Sequence, residues 1–96
     1  MLKLRRKTGP VYAVEVKGRD LAPAIHVFDN ADEVESLLAG CYIPADDVSF
    51  DGRSGLATWT GGFARIGNYV VCDEGFPKVY ETLSDLQEDY EVVEDD

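Results

Sequence analysis

The sequence predicts an α+β domain, a mainly antiparallel sheet of about five to six short strands carrying two short helices. Three observations carry this expectation. Short runs rich in β-branched and aromatic residues recur between Gly, Pro and Asp breaks. Two other segments repeat their apolar residues at helical spacing. At 96 residues the chain has room for a single domain, and no window approaches the roughly 20 apolar residues of a membrane span.

Val11–Lys17 reads as the first strand and stops at Gly18; Ala24–Phe28 follows after a turn-prone stretch and is expected to pair with it as a hairpin. Asp29–Gly40 is the clearest helix. Asn30 is placed to cap it, Glu33 stands in the capping-box position and Gly40 supplies the stop. At helical spacing Ala31, Val34, Leu37, Leu38 and Cys41 fall in one apolar stripe, leaving Asp32, Glu33, Glu35 and Ser36 outward.

Tyr42–Ile43 and Val48–Phe50 are short apolar pieces broken by Pro44 and two aspartates. A second hairpin is expected around Asp51–Gly55, returning through Leu56–Thr60. After Gly61 and Gly62 comes Phe63–Ile66. Tyr69–Cys72 and Lys78–Glu81 then flank a turn at Gly75 as a third hairpin. Thr82 is placed to cap a last helix with Asp85 at N3. Leu83, Leu86 and Tyr90 share its inner face, while Asp85, Glu88 and Asp89 point away. The end, Glu91–Asp96, reads as a brief edge strand running into an acidic tail over residues 93–96.

Nineteen acids against nine cations give a net charge of −10. Lys3, Arg5, Arg6 and Lys7 hold four of those nine cations, so residues 1–8 read as a basic arm and the rest, five cations against nineteen acids, carries −14. Such a body repels nucleic acid and anionic membrane and attracts cationic surfaces. The basic start lacks the apolar run of a secretory signal, which points to an intracellular protein. Two cysteines are too few for a disulfide framework; buried free thiols are expected for Cys41 and Cys72, with one bridge left open.

Gly67-Asn68-Tyr69-Val70-Val71, Gly75, Tyr80, Leu83 and Tyr90-Glu91-Val92-Val93 together resemble the C-terminal pattern of many small bacteriophage and prophage proteins. There, Gly-Asp-Trp and two β-branched residues begin a strand, and a short helix ends near Tyr-Glu with a valine behind it. Asn68 and Tyr69 stand here where Asp and Trp are usual, and Leu86 stands where Phe is common. The resemblance implies origin in a mobile element acting in bacterial cytoplasm, and it brings no catalytic residues with it.

Bond-making chemistry is poorly provided for. The single histidine, His26, reads as an ordinary strand residue, and none of Ser36, Ser49, Ser54 and Ser84 stands in a nucleophile motif. Two cysteines and one histidine do not make a zinc set, and Asp46, Asp47 and Asp51 lack EF-hand order, so no metal and no cofactor is expected. The glycines lack a following Gly-Lys-Ser/Thr and read as turns.

What remains is the anionic surface. The expected partner-binding residues are Asp32, Glu33 and Glu35 on the first helix and Asp85, Glu88, Asp89, Glu91 and Glu94 at the end. The expected partner is a bacterial host protein with a cationic nucleic-acid-binding site, a CRISPR or restriction enzyme for instance, with a homodimer left open. The alternative is a virion or lysogeny accessory protein acting through apolar contacts. Neither is an enzyme, and neither touches nucleic acid or membrane directly.

Overall fold

The computed structural model describes residues 2–6 and 9–95, with the backbone alone at 5, 6, 9, 10 and 93–95. These form, in order, β1 (Leu2–Arg6), β2 (Gly9–Glu15), β3 (Gly18–Ala22), β4 (Ile25–Phe28), α1 (Ala31–Ala39), a 3₁₀ turn (Ala45–Asp47), β5 (Ser49–Asp51), β6 (Leu56–Trp59), β7 (Gly62–Arg65), β8 (Tyr69–Asp73), β9 (Phe76–Tyr80), α2 (Leu83–Asp89) and β10 (Glu91–Asp95). The α+β class and the antiparallel pairing agree with the sequence. The described strands are ten rather than five or six, divided among three sheets ordered β10-β1-β2-β8-β9, β3-β4 and β5-β6-β7.

Period-two alternation puts neighbouring side chains of the five-stranded sheet on opposite faces. On one face, Val14, Val16 and Val70 pack with Val34, Leu37 and Leu38 of α1 and with Ala57, Trp59 and Ala64 of the three-stranded sheet. On the other, Leu4, Val11, Ala13 and Val71 pack with Leu86 and Tyr90. The sheet is therefore covered on both sides, by α1 and the β5-β6-β7 sheet on one and by α2 on the other.

Four sequence expectations are corrected. Within the expected basic arm, Leu2–Arg6 form a strand, β1, between β10 and β2, because Leu2 and Leu4 alternate with Lys3 and Arg5, and Leu4 is only 1% exposed; residues 1, 7 and 8 lie outside the described residues. Ile25–Phe28 pairs with β3 rather than with β2, whose two edges are taken by β1 and β8. Asn30 occupies the N-cap of α1 without capping it; its side chain instead accepts from Lys17 N at 2.9 Å and donates to Glu15 O at 2.7 Å, tying the helix start to the end of β2. Cys41 and Cys72 are not free thiols. α1 delivers Cys41 over β8, the two Cα atoms stand 6.0 Å apart, and the sulfurs are bonded.

The third hairpin forms as expected, closed by Glu74 (φ 53°) and Gly75 (φ 82°). Two consecutive positive φ values make a type I′ turn, whose twist suits a two-residue hairpin.

Candidate functional site

The α2 face is built from its cap outward. Thr82 accepts from Asp85 N at 3.1 Å, so the helix begins where the sequence places it. Leu86 and Tyr90 are buried, and Leu83 is half out at the edge. Asp85, Glu88 and Asp89 are all exposed, as the spacing predicts.

The helix is held down at its C-terminal end by a polar cluster that sequence reasoning missed. Asp73, 5% exposed, accepts a 2.5 Å hydrogen bond from the Tyr90 hydroxyl. Lys78 Nζ stands 3.5 Å from the same carboxylate oxygen, donates to the Tyr90 hydroxyl at 3.2 Å and lies over its ring. Alongside, Tyr80 OH donates to Asp89 at 2.8 Å. Burial, reinforced by that bond to Asp89, pushes the Tyr80 hydroxyl well above the usual phenol range, so it stays a donor at every physiological pH. Replacing Tyr90 with Phe removes a donor from a buried carboxylate, and we expect it to cost about 1 to 2 kcal/mol in urea unfolding. Lys78→Met should cost less, because that ammonium is half exposed.

The α1 acids are placed differently. Asp32 is exposed, whereas Glu33 and Glu35 are half-buried rather than fully outward. Glu33 joins Glu15, Lys17, Tyr69 and Gln87 around a cavity of about 170 Å³ at the end of the five-stranded sheet. α1 and α2 cover opposite faces of that sheet, yet Glu33 of the one and Leu83 and Gln87 of the other meet around this cavity at its end.

Glu91 is exposed on β10. Along β10 the register sets Glu91 against Arg5 and Glu94 against Lys3 of β1, so the basic start and the acidic end of the chain are stitched together. The side chain of Glu94 lies outside the described residues.

Asp47 has a structural task. Its carboxylate accepts from Thr60 Oγ1 at 2.9 Å and Thr60 N at 3.0 Å, fastening the 3₁₀ turn to the β6-β7 hairpin. The Thr60 side chain and then its amide hold this carboxyl below its ordinary value; the amide of Arg53 and the Ser54 hydroxyl do the same for Asp51. A depressed folded value contributes stability at pH above the unfolded value and loses it as pH falls through the folded one. Melting temperature should therefore fall as pH drops below about 4, and Asp47→Asn should flatten part of that slope.

His26 sits on β4 with Nδ1 2.5 Å from Asp20 Oδ1, a pair on the small hairpin whose ring packs against Gly55. Among the described residues no three His, Cys, Asp or Glu side chains are grouped to hold a metal ion.

One feature lies away from the acids. β7 and β9 are the outer strands of two different sheets, and they face each other across a groove of about 750 Å³ lined by Trp59, Gly62, Phe63, Pro77, Val79 and Glu81 among others. Phe63 is 56% exposed and Val79 38%. The sequence carried one sign of it, because a proline inside a strand belongs on an edge.

No protein-family model, curated protein or solved structure matches the chain.

Proposed function

We propose that this chain is a non-catalytic binding protein that engages the cationic, nucleic-acid-binding surface of another protein through the outer face of α2. The observation that carries the reading is the set Asp85, Glu88 and Asp89, three exposed carboxylates on one helix whose opposite face is buried and pinned by the Asp73, Tyr90 and Lys78 cluster. At about 1.5 Å rise per residue they span about 6 Å of axis. That charge spacing is close to the one phosphate per about 3.4 Å of a single DNA strand. Asp32 on α1 and Glu91 on β10 are further exposed charges. A bacterial host partner of the defence-enzyme kind follows from the resemblance of Gly67–Glu94 to phage proteins, and only from it.

A pull-down from bacterial lysate at low and high salt tests the reading. A nucleic-acid-binding protein should be retained at low salt, released at high salt, and lost with the Asp85→Asn, Glu88→Gln, Asp89→Asn triple variant. Equal retention by the triple variant overturns it. The second reading, an accessory protein working through apolar contacts, is favoured by one observation: Phe63, Phe76 and Val79 are exposed on the two edge strands that face each other. Salt-insensitive capture would select it.

A further inference from the structure

We infer that the groove between β7 and β9 receives an extended, basic peptide from a partner protein, which adds to the sheet as a strand beside β9. This rests on the chain being a binding protein, but not on the acidic face of α2.

The main-chain geometry fixes which groups are free. Val16 N donates to Asn68 O at 2.8 Å, which sets the phase of the β2-β8 ladder and turns the backbone groups of Tyr69, Val71 and Asp73 toward β9. Their register partners Tyr80, Lys78 and Phe76 return those bonds. The intervening residues of β9, Pro77 and Val79, therefore face the groove. Pro77 has no N–H, so Val79 presents the donor on that edge, along with its carbonyl.

On the other bank, Ile66 N donates to Gly55 O at 3.3 Å, and the same alternation along β6-β7 turns Phe63 and Arg65 outward. Arg65 is already served: its N–H reaches Asn68 Oδ1 at 2.9 Å, and its carbonyl accepts from Asn68 N at 3.0 Å. Phe63 is left presenting main chain and an exposed ring to the groove.

The groove wall holds a further polar group without a counterpart. Trp59 is 93% buried by its 7% exposure, and its indole N–H reaches no acceptor among the described residues. Gly62 leaves no side chain over it, since a Cβ there would stand 2.9 Å from Nε1. That nitrogen is shut off from solvent, so a main-chain carbonyl of the peptide reaches it only if the wall gives at Gly62.

Charge selects the occupant. The chain carries −10, and exposed Glu81 lines the groove just past the end of β9, with Arg65 on the other bank. A short extended peptide that carries Lys or Arg at its ends, with Val or Thr between, suits that net charge and the exposed β9 edge. A second copy fits poorly, because it brings the same net charge and because a symmetric β9-β9 pair lacks the Pro77 donor twice. The other outer strand of the five-stranded sheet, β10, carries Glu91, Glu94 and Asp95, the charged residues that protect an edge from pairing.

The test uses the full chain and the acetylated, amidated peptide Lys-Val-Thr-Val-Thr-Val-Lys at millimolar concentration. Amide hydrogen exchange at Val79 should slow at least tenfold, with a shift in Trp59 emission. Both effects should vanish when alternate peptide nitrogens are N-methylated, and a Glu-ended peptide should bind at least fivefold more weakly. Val79→Pro should abolish the response. If that variant does not fold, Phe63→Asp on the exposed opposite bank should weaken it instead. The triple α2 variant should leave the response intact, which separates this site from the acidic face. Unchanged exchange at Val79, protection confined to α2 or β10, or dimerisation in sedimentation that removes the peptide response each overturns the inference.

Discussion

Reducing the Cys41–Cys72 bond should lower unfolding free energy by about 3 to 4 kcal/mol. The bond spans 31 residues and joins the end of α1 to β8. In the chain-entropy account, closing a loop of that length restrains the unfolded chain by about this amount. Small domains have only about 5 to 15 kcal/mol in total, so the loss takes a large share. Melting temperature should drop by roughly 15 to 20 °C. The check is urea unfolding with and without a strong reductant, beside the Cys41→Ala, Cys72→Ala double variant. Equal stability in both redox states would show that the bond contributes nothing. The result also bears on where the protein works, since cytosolic thiols are kept reduced. A bacterial cytoplasm, as the phage resemblance implies, would hold the chain in its less stable form.

Gly18→Ala should be the most damaging substitution of a single small residue. A Cβ at Gly18 would stand 2.4 Å from Val27 O and 2.6 Å from Ile66 Cδ1. The Ile66 side chain can turn aside; the carbonyl cannot, because Val27 lies in the ladder with Arg19. The β3-β4 hairpin must therefore shift as a unit, away from the residues that Phe28 and Phe50 join edge to face. We expect a loss of about 2 to 3 kcal/mol, the range of overpacked sites. Thermal unfolding measures it, and a change under 0.5 kcal/mol would contradict the close packing at this point.

These two positions also show what sequence can and cannot carry. α2 was legible because its cap, its apolar spacing and its outward acids all lie within nine residues, from Thr82 to Tyr90. The β5-β6 and β8-β9 hairpins were legible for the same reason: turn residues and flanking strands are local. β1 was not, because its alternation is two leucines long and reads as a basic run until β10 and β2 are placed beside it. β3 was not, because Gly18–Ala22 buries little and has no apolar period. Asn30 carried a capping signal, and tertiary demand from Glu15 and Lys17 took its side chain instead. The disulfide depends on α1 arriving over β8, a long-range fact that two isolated cysteines do not reveal.

The candidate site divides the same way. Asp85, Glu88 and Asp89 were found by helical spacing and are exposed. Glu91 is likewise exposed, on β10, whose backbone pairs with β1, and the side chain of Glu94 lies outside the described residues. The β7-β9 groove depends on two sheets meeting, so only Pro77 signalled it.

The most direct measurement of the binding claim is competition. Duplex DNA is bound to the lysate partner captured by the chain, and the chain is then titrated in at low salt. If the outer face of α2 occupies the nucleic-acid site, DNA is displaced as the complex forms, and the Asp85→Asn, Glu88→Gln, Asp89→Asn variant displaces it at least tenfold less effectively. Formation of a complex that retains its DNA, or equal displacement by the triple variant, contradicts the account.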